Sequence, residues 1–389
     1  MKVLRVISSV NPVAGGPING LVNSSKELLK LGHEVSVLSL DNPRSPWVEG
    51  FDFPLITFKA CLGTYSYSSS FYKWLKLNVN KYDVVLIHGL WQFHSYATST
   101  LCLKNRVPFV VFTHGMLDPW FNKNQRIKTL KKKIYWSLFE RHVINNANSV
   151  LFTSEEECKL ARTPFSPYGA NERVVSYGCP KIKADKIKLV KNFNKRFPEL
   201  IGKQVGLFLS RIDHKKGIDL LIDAMATIDT VPSDFILAIA GPDNVNLRVE
   251  LEAQIKNLGI VDRIVWLGML SGDLKWGAFY AADFFILPSH QENFGIVVAE
   301  ALSTSTPVLI TNKVNIWREI SSSGSGFVAN DDVRGISLLL KRWFSLNKQE
   351  KAEMAVNAAQ CYSEKFSIEA AAVDLERELL NVIEAKSYE

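Results

Sequence analysis

Residues 204–228 read QVGLFLSRIDHKKGIDLLIDAMATI and show the kind of unit from which this chain is built. The apolar run at 204–210 lacks polar alternation, which predicts a buried strand, and 219–228 has the apolar spacing of a helix. A polar loop with basic side chains joins the two. A buried strand that leads into a helix is typical of a parallel sheet with helices on both faces. The unit therefore predicts an α/β fold.

The same alternation extends through both halves of the sequence. Strands are predicted at 3–8, 34–39, 84–87, 109–112 and 150–153, and then at 204–210, 235–240, 263–266, 284–287 and 307–310. Helices are predicted at 20–31, 219–228, 248–258, 278–282, 294–304 and 367–384. We interpret the Lys-rich stretch 177–203 as a linker and a surface helix outside the core. The pattern predicts two doubly wound, Rossmann-like domains, whose ligands bind in the loops after the strands.

Composition narrows the class of protein. The 389 residues are 47% hydrophobic and 22% charged, which excludes intrinsic disorder, and no apolar run reaches the ~18 residues of a membrane span. The first residues lack the long apolar core of a signal peptide. Five widely spaced cysteines predict neither a disulfide framework nor a zinc site. We therefore expect a cytoplasmic protein.

Positive charge is concentrated in the first half. The net charge is 46 − 39 = +7, and residues 1–180 hold 21 Lys/Arg against 12 Asp/Glu, or +9, which leaves −2 for the remainder. The stretch 126–143 places Ile127, Leu130, Ile134 and Leu138 at helical spacing among lysines. Such a helix suits the surface of an anionic membrane. An ordinary solvated helix face is the alternative, and salt-dependent sedimentation with anionic vesicles would distinguish them.

Several motifs are absent from the sequence. It contains no phosphate-binding Gly-x-x-x-x-Gly-Lys-Ser/Thr, no His-Glu-x-x-His, no Gly-x-Ser-x-Gly and no Asp-x-Asp. The glycines at 324–329, GSGFVA, follow a serine run instead of the first strand of a unit, so we interpret them as a loop. The missing Asp-x-Asp matters because metal-dependent sugar transferases usually hold their divalent ion with such a pair.

Three loops carry residues suited to ligand binding. Gly15 and Gly16 precede a helix, where backbone can approach an anion, although a plain turn explains them equally well. Arg211 and Lys216 follow a strand and suit a diphosphate, with a solvated basic turn as the alternative. The loop 288–295, PSHQENFG, leads to a helix with a second glutamate eight residues after the first. One carboxylate could then reach a sugar ring and the other a ribose diol.

Together, the Gly-Gly loop, the Ser-Arg-Ile-x-x-x-Lys-Gly turn at 210–217 and the Glu-x7-Glu pair at 292–300 resemble glycosyltransferase family 4. The resemblance covers nearly the whole chain. It implies a retaining, metal-independent enzyme of the GT-B architecture, in which two Rossmann-like domains face each other across a cleft. It also implies a first domain at 1–180 that the C-terminal helix within 363–389 rejoins, a nucleotide-sugar domain at 181–362, and no cofactor.

The resemblance implies roles for individual residues. Arg211 and Lys216 would neutralise the donor diphosphate, Glu292 would hold hydroxyls of the transferred sugar, and Glu300 would hold the ribose. The implied catalytic residues are Arg211, Lys216, Glu292 and His114. The implied donor-binding residues are Gly15, Gly16, Arg211, Lys216, Gly241, Leu270, Glu292, Asn293, Phe294, Gly295 and Glu300.

The stretch 114–120, HGMLDPW, is most similar to family members from bacterial exopolysaccharide pathways. This similarity implies UDP-glucose as the favoured donor, ahead of other UDP-hexoses and GDP-mannose, and a saccharide or lipid-linked acceptor. Trp91, Gln92 and Asp118 are the candidate acceptor-side residues. The sequence SYGCP at 176–180 stands where the family often has Pro-Asn-Gly before its linker, so hinge details are not carried over.

Two other functions remain open from the sequence. A sugar-nucleotide epimerase shares the architecture but needs no acceptor, and an epimerised product from sugar nucleotide alone would reveal it. The calculated isoelectric point of about 9.0 suggests a nucleic-acid-binding protein. No recognised binding module is visible, however, and the most basic stretches lie outside the predicted cleft. We therefore expect no nucleic-acid partner.

Overall fold

The computed structural model describes residues 1–61, 63–122, 126–229 and 231–386. The chain divides into two compact units, of which the first is Met1–Gly178 with Ile368–Glu389 and the second is Cys179–Ser367. The sequence-based boundaries fall at 180 and 363, within two and five residues of this division. Each unit contains one parallel sheet.

The first unit has a seven-stranded sheet of order β3-β2-β1-β4-β5-β6-β7. Its strands are β1 Lys2–Ile7, β2 Glu34–Ser39, β3 Leu55–Thr57, β4 Val84–His88, β5 Phe109–Phe112, β6 Ser149–Phe152 and β7 Glu172–Val174. Its helices before the second unit are α1 Gly16–Lys30, α2 Ser69–Asn78, α3 Phe93–Asn105, α4 Arg126–Tyr135, α5 Arg141–Asn146 and α6 Glu155–Ala161. A π-helical turn, Trp136–Glu140, joins α4 to α5.

The second unit has a six-stranded sheet of order β10-β9-β8-β11-β12-β13. Its strands are β8 Gln204–Leu209, β9 Phe235–Ala240, β10 Ile264–Gly268, β11 Phe284–Leu287, β12 Val308–Thr311 and β13 Gly326–Ala329. Its helices are α7 Lys186–Arg196, α8 Ile218–Ala226, α9 Leu247–Asn257, α10 Gly272–Ala281, α11 Ile296–Ser303, α12 Trp317–Ser323, α13 Val333–Ser345 and α14 Lys348–Cys361. The last helix of the chain, α15 Ile368–Lys386, belongs to the first unit.

The predicted α/β class with two Rossmann-like domains is confirmed. All ten predicted strands are present to within two residues, because strands buried on both faces produce continuous apolar runs. In β4, for example, all five residues are buried. Since every strand pair is parallel, the carboxyl ends of the strands lie along one edge of each sheet.

One interpretation of the sequence is wrong. Residues 326–329, expected in a loop, form the edge strand β13, which pairs with β12 from Val308↔Gly326 to Thr311↔Ala329. The strand is short, and its three side chains are only half-buried, so its apolar signal is weak. The helix expected on the surface, α7, is exposed at most of its positions, and it packs Leu189 and Phe193 against α10. Its contact at Gly277 is close, since a Cβ there would lie 2.6 Å from the Leu189 carbonyl oxygen.

The C-terminal helix α15 packs within the first unit. His33 Nε2 lies 2.5 Å from a Glu376 carboxylate oxygen, and Ser149 donates a hydrogen bond to Glu378. Gly178 packs against the first residue of this helix, because a Cβ at 178 would lie 2.7 Å from the Ile368 Cα. These contacts place the start and the middle of the helix against other parts of the first unit. Among the described residues, no helix has the length and apolar content needed to cross a bilayer.

Candidate functional site

Three loops meet at the carboxyl edge of the second sheet. The loop after β8 touches the turn after β9, because a Cβ on Gly241 would lie 1.7 Å from the Ser210 carbonyl oxygen. It also touches the loop after β11, because a Cβ on Gly217 would lie 2.3 Å from the Pro288 carbonyl oxygen. His290 N–H donates to the Lys215 carbonyl at 2.9 Å and completes the connection. Residues predicted from separate motifs are thereby brought together.

The two cations of the β8 loop differ in environment. Arg211 is exposed, and within the described part of the chain its guanidinium makes no hydrogen bond or ion pair. Lys216 is buried, with 7% of its side chain exposed, and its ammonium group forms an ion pair with the Glu292 carboxylate. Of the two residues predicted to bind phosphate, Arg211 is therefore exposed to solvent, and Lys216 is held by Glu292, which is predicted to bind the sugar.

Glu292 is fixed by its backbone. Its N–H donates to the Lys313 carbonyl at 2.9 Å, and its carbonyl accepts from Asn315 N–H at 3.0 Å. The chain then turns through Gly295, whose φ of +69° is in the left-handed region, and enters α11. No side chain caps α11, so its first amides are open to an anion. Asn293 and Phe294 lie within this turn, and Phe294 is buried.

Glu300, on α11, is paired with a residue that the sequence analysis missed. Lys275 Nζ on α10 lies 2.6 Å from Glu300 Oε1, while Glu300 Oε2 is buried with no hydrogen-bond partner among the described residues. Burial raises the pKa of the Glu300 carboxyl group above its usual value. Leu270, also predicted at this edge, is buried after β10. The free Oε2 is an acceptor that a ligand hydroxyl can satisfy.

In the first unit, the Gly-Gly loop offers open backbone. A Cβ on Gly15 or Gly16 would meet no atom within 4 Å, and Gly15 has φ +71°. Gly15 is the N-cap of α1 and provides no side-chain cap. The amides at this helix start are therefore accessible, as the sequence predicted for a loop that approaches an anion.

His114 lies after β5 in a loop held by one buried carboxylate. Glu157 Oε1 accepts from Thr113 Oγ1 at 2.7 Å and from Gly115 N–H at 2.6 Å. Its Oε2 accepts from Thr153 N–H and Oγ1 at 2.7 and 2.6 Å. His114 itself has φ +53°, which is uncommon for a residue with a side chain. The sequence analysis missed Glu157, because nothing local links it to a loop 42 residues earlier.

The acceptor-side candidates occupy neighbouring loops of the same sheet. Trp91, with φ +72°, donates from Nε1 to the Met116 carbonyl at 3.2 Å, and Asp118 N–H donates to the Gly115 carbonyl at 3.0 Å. Gln92 donates to the Thr64 carbonyl at 3.0 Å. Beneath Trp91, burial raises the pKa of Glu140 to about 8. Trp91 and Asp118 thus lie close to the loop of His114.

A cavity of about 250 Å³ lies beside α1. Trp47 and Phe51 line it together with Asn19 and Asn23. Asp41 fixes its wall, since its carboxylate accepts from Trp47 Nε1 at 2.9 Å and from Val10 N–H at 2.7 Å. Aromatic rings beside amide groups suit a ligand with apolar faces and hydroxyl edges. No cluster of three or more metal-ligating side chains occurs within the described ranges.

Comparisons with known proteins agree for both units. Residues 14–174 match the family described as Glycosyltransferase Family 4, and residues 191–360 match Glycosyl transferases group 1. An uncharacterized glycosyltransferase of Methanocaldococcus jannaschii is 26% identical over 88% of this chain and 90% of its own length. The alpha-monoglucosyldiacylglycerol synthase of Streptococcus pneumoniae is 24% identical over 87% and 78%.

Solved structures show the same architecture. The Anabaena protein HepE in complex with UDP and glucose is 18% identical, with a TM-score of 0.75 over 98% of this chain and 100% of its own. WaaG, a glycosyltransferase involved in lipopolysaccharide biosynthesis, is 16% identical, with a TM-score of 0.67 over 96% and 99%. At these identities the likeness establishes the GT-B fold.

Proposed function

Because this chain belongs to glycosyltransferase family 4, we propose that it transfers a hexose, with glucose favoured, from a UDP-sugar to a saccharide or lipid-linked acceptor in exopolysaccharide synthesis. The observation that carries the proposal is the convergence of Arg211, Lys216 and Glu292 at one sheet edge. Arg211 has no partner among the described residues, and its loop contacts the loop that leads to the uncapped N-terminus of α11, an arrangement that suits a diphosphate.

The proposed chemistry needs negative charge to be stabilised on the leaving diphosphate. Arg211 and Lys216 are fixed cations that stabilise this charge as the sugar–phosphate bond breaks. We assign this task to them instead of a metal ion, on the family resemblance and on the absence of Asp-x-Asp from the sequence. With retention of configuration, the acceptor hydroxyl attacks from the side of the leaving group, and the leaving phosphate takes its proton.

The donor is held at two further points in this proposal. Glu292 binds hydroxyls of the transferred sugar, and the ion pair with Lys216 keeps its carboxylate oriented. Glu300 Oε2, which is buried without a partner among the described residues, accepts a hydrogen bond from the ribose diol. The complexes of HepE with UDP and UDP-glucose support a UDP-sugar, although they concern a distant relative.

For the acceptor, we propose that a sugar ring occupies the cavity lined by Trp47, Phe51, Asn19 and Asn23. Its volume of about 250 Å³ is of the order of one hexose. Trp91, Gln92 and Asp118 then contribute from loops after β4 and β5, at the same edge of the first sheet as His114. We place the enzyme in the cytoplasm, at the inner face of the membrane where a lipid-linked acceptor is presented.

A thermal-shift screen with nucleotide sugars tests the function. A ligand at about 100 times its dissociation constant stabilises the folded state by ~2.7 kcal/mol. We expect UDP-glucose and UDP to raise the unfolding temperature by roughly 5–10 °C, and GDP-mannose to raise it less. Incubation of the protein with UDP-glucose and no acceptor then distinguishes a glycosyltransferase from an epimerase, because only an epimerase gives an epimerised sugar nucleotide. The proposal is wrong if no nucleoside diphosphate stabilises the protein.

We also propose that the helix after His114 rests on an anionic membrane. Leu130, Ile134 and Leu138 lie on one helical stripe and are exposed by 61, 54 and 58%. Lys131 and Lys133, beside this stripe, are exposed as well. The side chains at 126–128, which the sequence analysis included in this helix, lie outside the described residues. An apolar stripe flanked by lysines suits the lipid interface.

Sedimentation with vesicles tests this membrane contact. We expect the protein to sediment with phosphatidylserine vesicles at low salt and to be released at high salt, because salt screens the lysine charges. The double substitution Leu130→Ser and Ile134→Ser should abolish sedimentation, whereas Leu77→Ser should not. Leu77 is a matched control since it is 77% exposed on α2. Equal binding by both variants would show that the apolar stripe is not the membrane-binding surface.

A further inference from the structure

Arg5 is a buried cation on β1 with no carboxylate partner within the described part of the chain. Its side chain is 1% exposed and donates from Nη1 to the Leu21 carbonyl at 3.0 Å and to the hydroxyls of Ser24 and Ser25 at 2.8 Å. Its Nε–H donates to His88 Nε2 at 3.2 Å. Burial of an unpaired charge is costly, so the position calls for a role beyond packing.

The direction of this hydrogen bond fixes the protons of two histidines. A guanidinium can only donate, so His88 Nε2 accepts and the proton of the neutral ring is on Nδ1. His88 Nδ1 lies 3.0 Å from His114 Nε2. Since Nδ1 donates, His114 Nε2 also accepts, and the proton of His114 is on its own Nδ1. A proton on His114 Nε2 would face another N–H across this distance.

The proton left at the end of this chain has no partner. His114 Nδ1 is buried and makes no hydrogen bond to any described residue. The ring is held in place by aromatic stacking, with ring centroids 5.2 Å from His88 and 5.3 Å from Tyr177. Native proteins rarely leave a buried N–H unsatisfied, and a functional role is one of the few explanations for such a group.

We propose that Arg5 and His88 are positioning residues that lock His114 in its neutral Nδ1–H form, so that it offers one hydrogen-bond donor to a ligand oxygen at the carboxyl edge of the first sheet. The inference rests on the proposed function for the identity of that oxygen, but the proton arrangement itself does not. The buried charge of Arg5 polarises the chain and strengthens the terminal donor.

Titration behaviour agrees with this arrangement. Burial, assisted by the charge of Arg5, lowers the pKa of His114 to about 3 and that of His88 well below its usual value. Burial lowers the pKa of Arg5 only to about 9, so the guanidinium stays charged at neutral pH. Another nearby histidine, His94, is neutral too, and its Nε2–H donates to the His88 carbonyl. The hydrogen bonds from Arg5 through His88 to His114 therefore keep the same donors and acceptors around neutral pH.

Long-range proton–nitrogen spectra of ¹⁵N-histidine-labelled protein test the lock, with His114→Gln used to assign the signal. We expect a protonated Nδ1 and a bare Nε2 on His114 that do not titrate between about pH 5 and pH 8. Addition of UDP-glucose should shift the Nδ1 signal. A proton on Nε2, or a titrating ring, would overturn the proposal even if sugar transfer is confirmed.

Three variants connect the lock to activity. Arg5→Met frees His88 to adopt either form, and His88→Phe keeps the ring stack but breaks the chain. Each should give mixed or inverted His114 protonation and about a tenfold to hundredfold lower kcat. His88→Gln should retain most activity, because an amide accepts with oxygen and donates with nitrogen.

The outcomes distinguish the proposal on His114 protonation from the proposed sugar-transfer function. The unfolding temperature and far-UV circular dichroism spectrum of each variant check that it folds, because UDP-induced stabilisation would report on the second unit and the substitutions lie in the first. Folded Arg5→Met and His88→Phe variants with full activity would overturn the lock and leave the transferase intact. The predicted protonation in a protein that transfers no sugar would instead overturn the proposed function and leave the lock standing.

Discussion

Replacing Arg211 by alanine should lower the rate of sugar transfer by about a hundredfold to a thousandfold and leave the unfolding temperature unchanged. The loss follows from charge, because in the proposed reaction this guanidinium stabilises the negative charge that the leaving diphosphate gains. Stability is spared because Arg211 is exposed and makes no hydrogen bond or ion pair with the described residues. Initial rates at saturating UDP-glucose, together with calorimetry, measure both effects.

The matched control is Arg196→Ala. Arg196 is also exposed, but it ends α7 and precedes β8, so it lies toward the amino end of the strand whose carboxyl end leads to Arg211. Its removal changes the net charge equally and should alter the rate by less than about twofold. Near-normal transfer by Arg211→Ala would remove the diphosphate role and, with it, the main support for the proposed function.

Lys216→Ala should differ from Arg211→Ala in its effect on stability. Lys216 is buried and paired with Glu292, so its loss leaves a partly buried carboxylate without a counter-charge. Breaking a buried pair in this way typically costs a few kcal/mol, whereas loss of an exposed charge costs little. Both variants should lose transfer, but only Lys216→Ala should unfold at a lower temperature.

The sequence was sufficient for features that depend on neighbouring residues. Buried parallel strands produce apolar runs, and the polar residues that follow each run mark the functional edge. Arg211 and Lys216 were located in this way, and the structure places Lys216 against Glu292, 76 residues away. The strands β3 and β7 were missed, because each has three residues at the edge of its sheet and gives little periodic signal.

Contacts between distant residues were beyond reach from one sequence. Arg5 and His88 are 83 residues apart, and each is an unremarkable member of an apolar strand pattern. Glu157 looks like one of three acidic residues in the first turn of α6, which helix electrostatics alone would explain. Only the packed sheet shows that its carboxylate holds Thr113 and Gly115. The residues that support the candidate site were therefore hidden, whereas the proposed ligand-binding residues carried a local motif.

Gly241→Ala should destabilise the second unit strongly and abolish donor binding. The added Cβ would lie 1.7 Å from the Ser210 carbonyl oxygen, and the φ of +144° is one that side chains rarely adopt. Since the clash is with backbone, no rotamer change relieves it, and the turn after β9 must move away from the β8 loop. The hydrogen bond from Ile212 N–H to the Pro242 carbonyl, now 2.9 Å, would be broken in the process.

We expect a cost of roughly 3–5 kcal/mol, or about 10 °C in unfolding temperature, and no stabilisation by UDP, because the displaced loop carries Arg211. Gly259→Ala is the control. Its φ is +66°, but a Cβ there meets no atom within 4 Å, so backbone strain alone should cost about 1 kcal/mol and UDP binding should persist. Equal destabilisation of the two variants would show that strain, and not contact between the β8 and β9 loops, sets the need for glycine. Normal UDP binding by Gly241→Ala would show that the diphosphate site does not depend on how closely these loops pack.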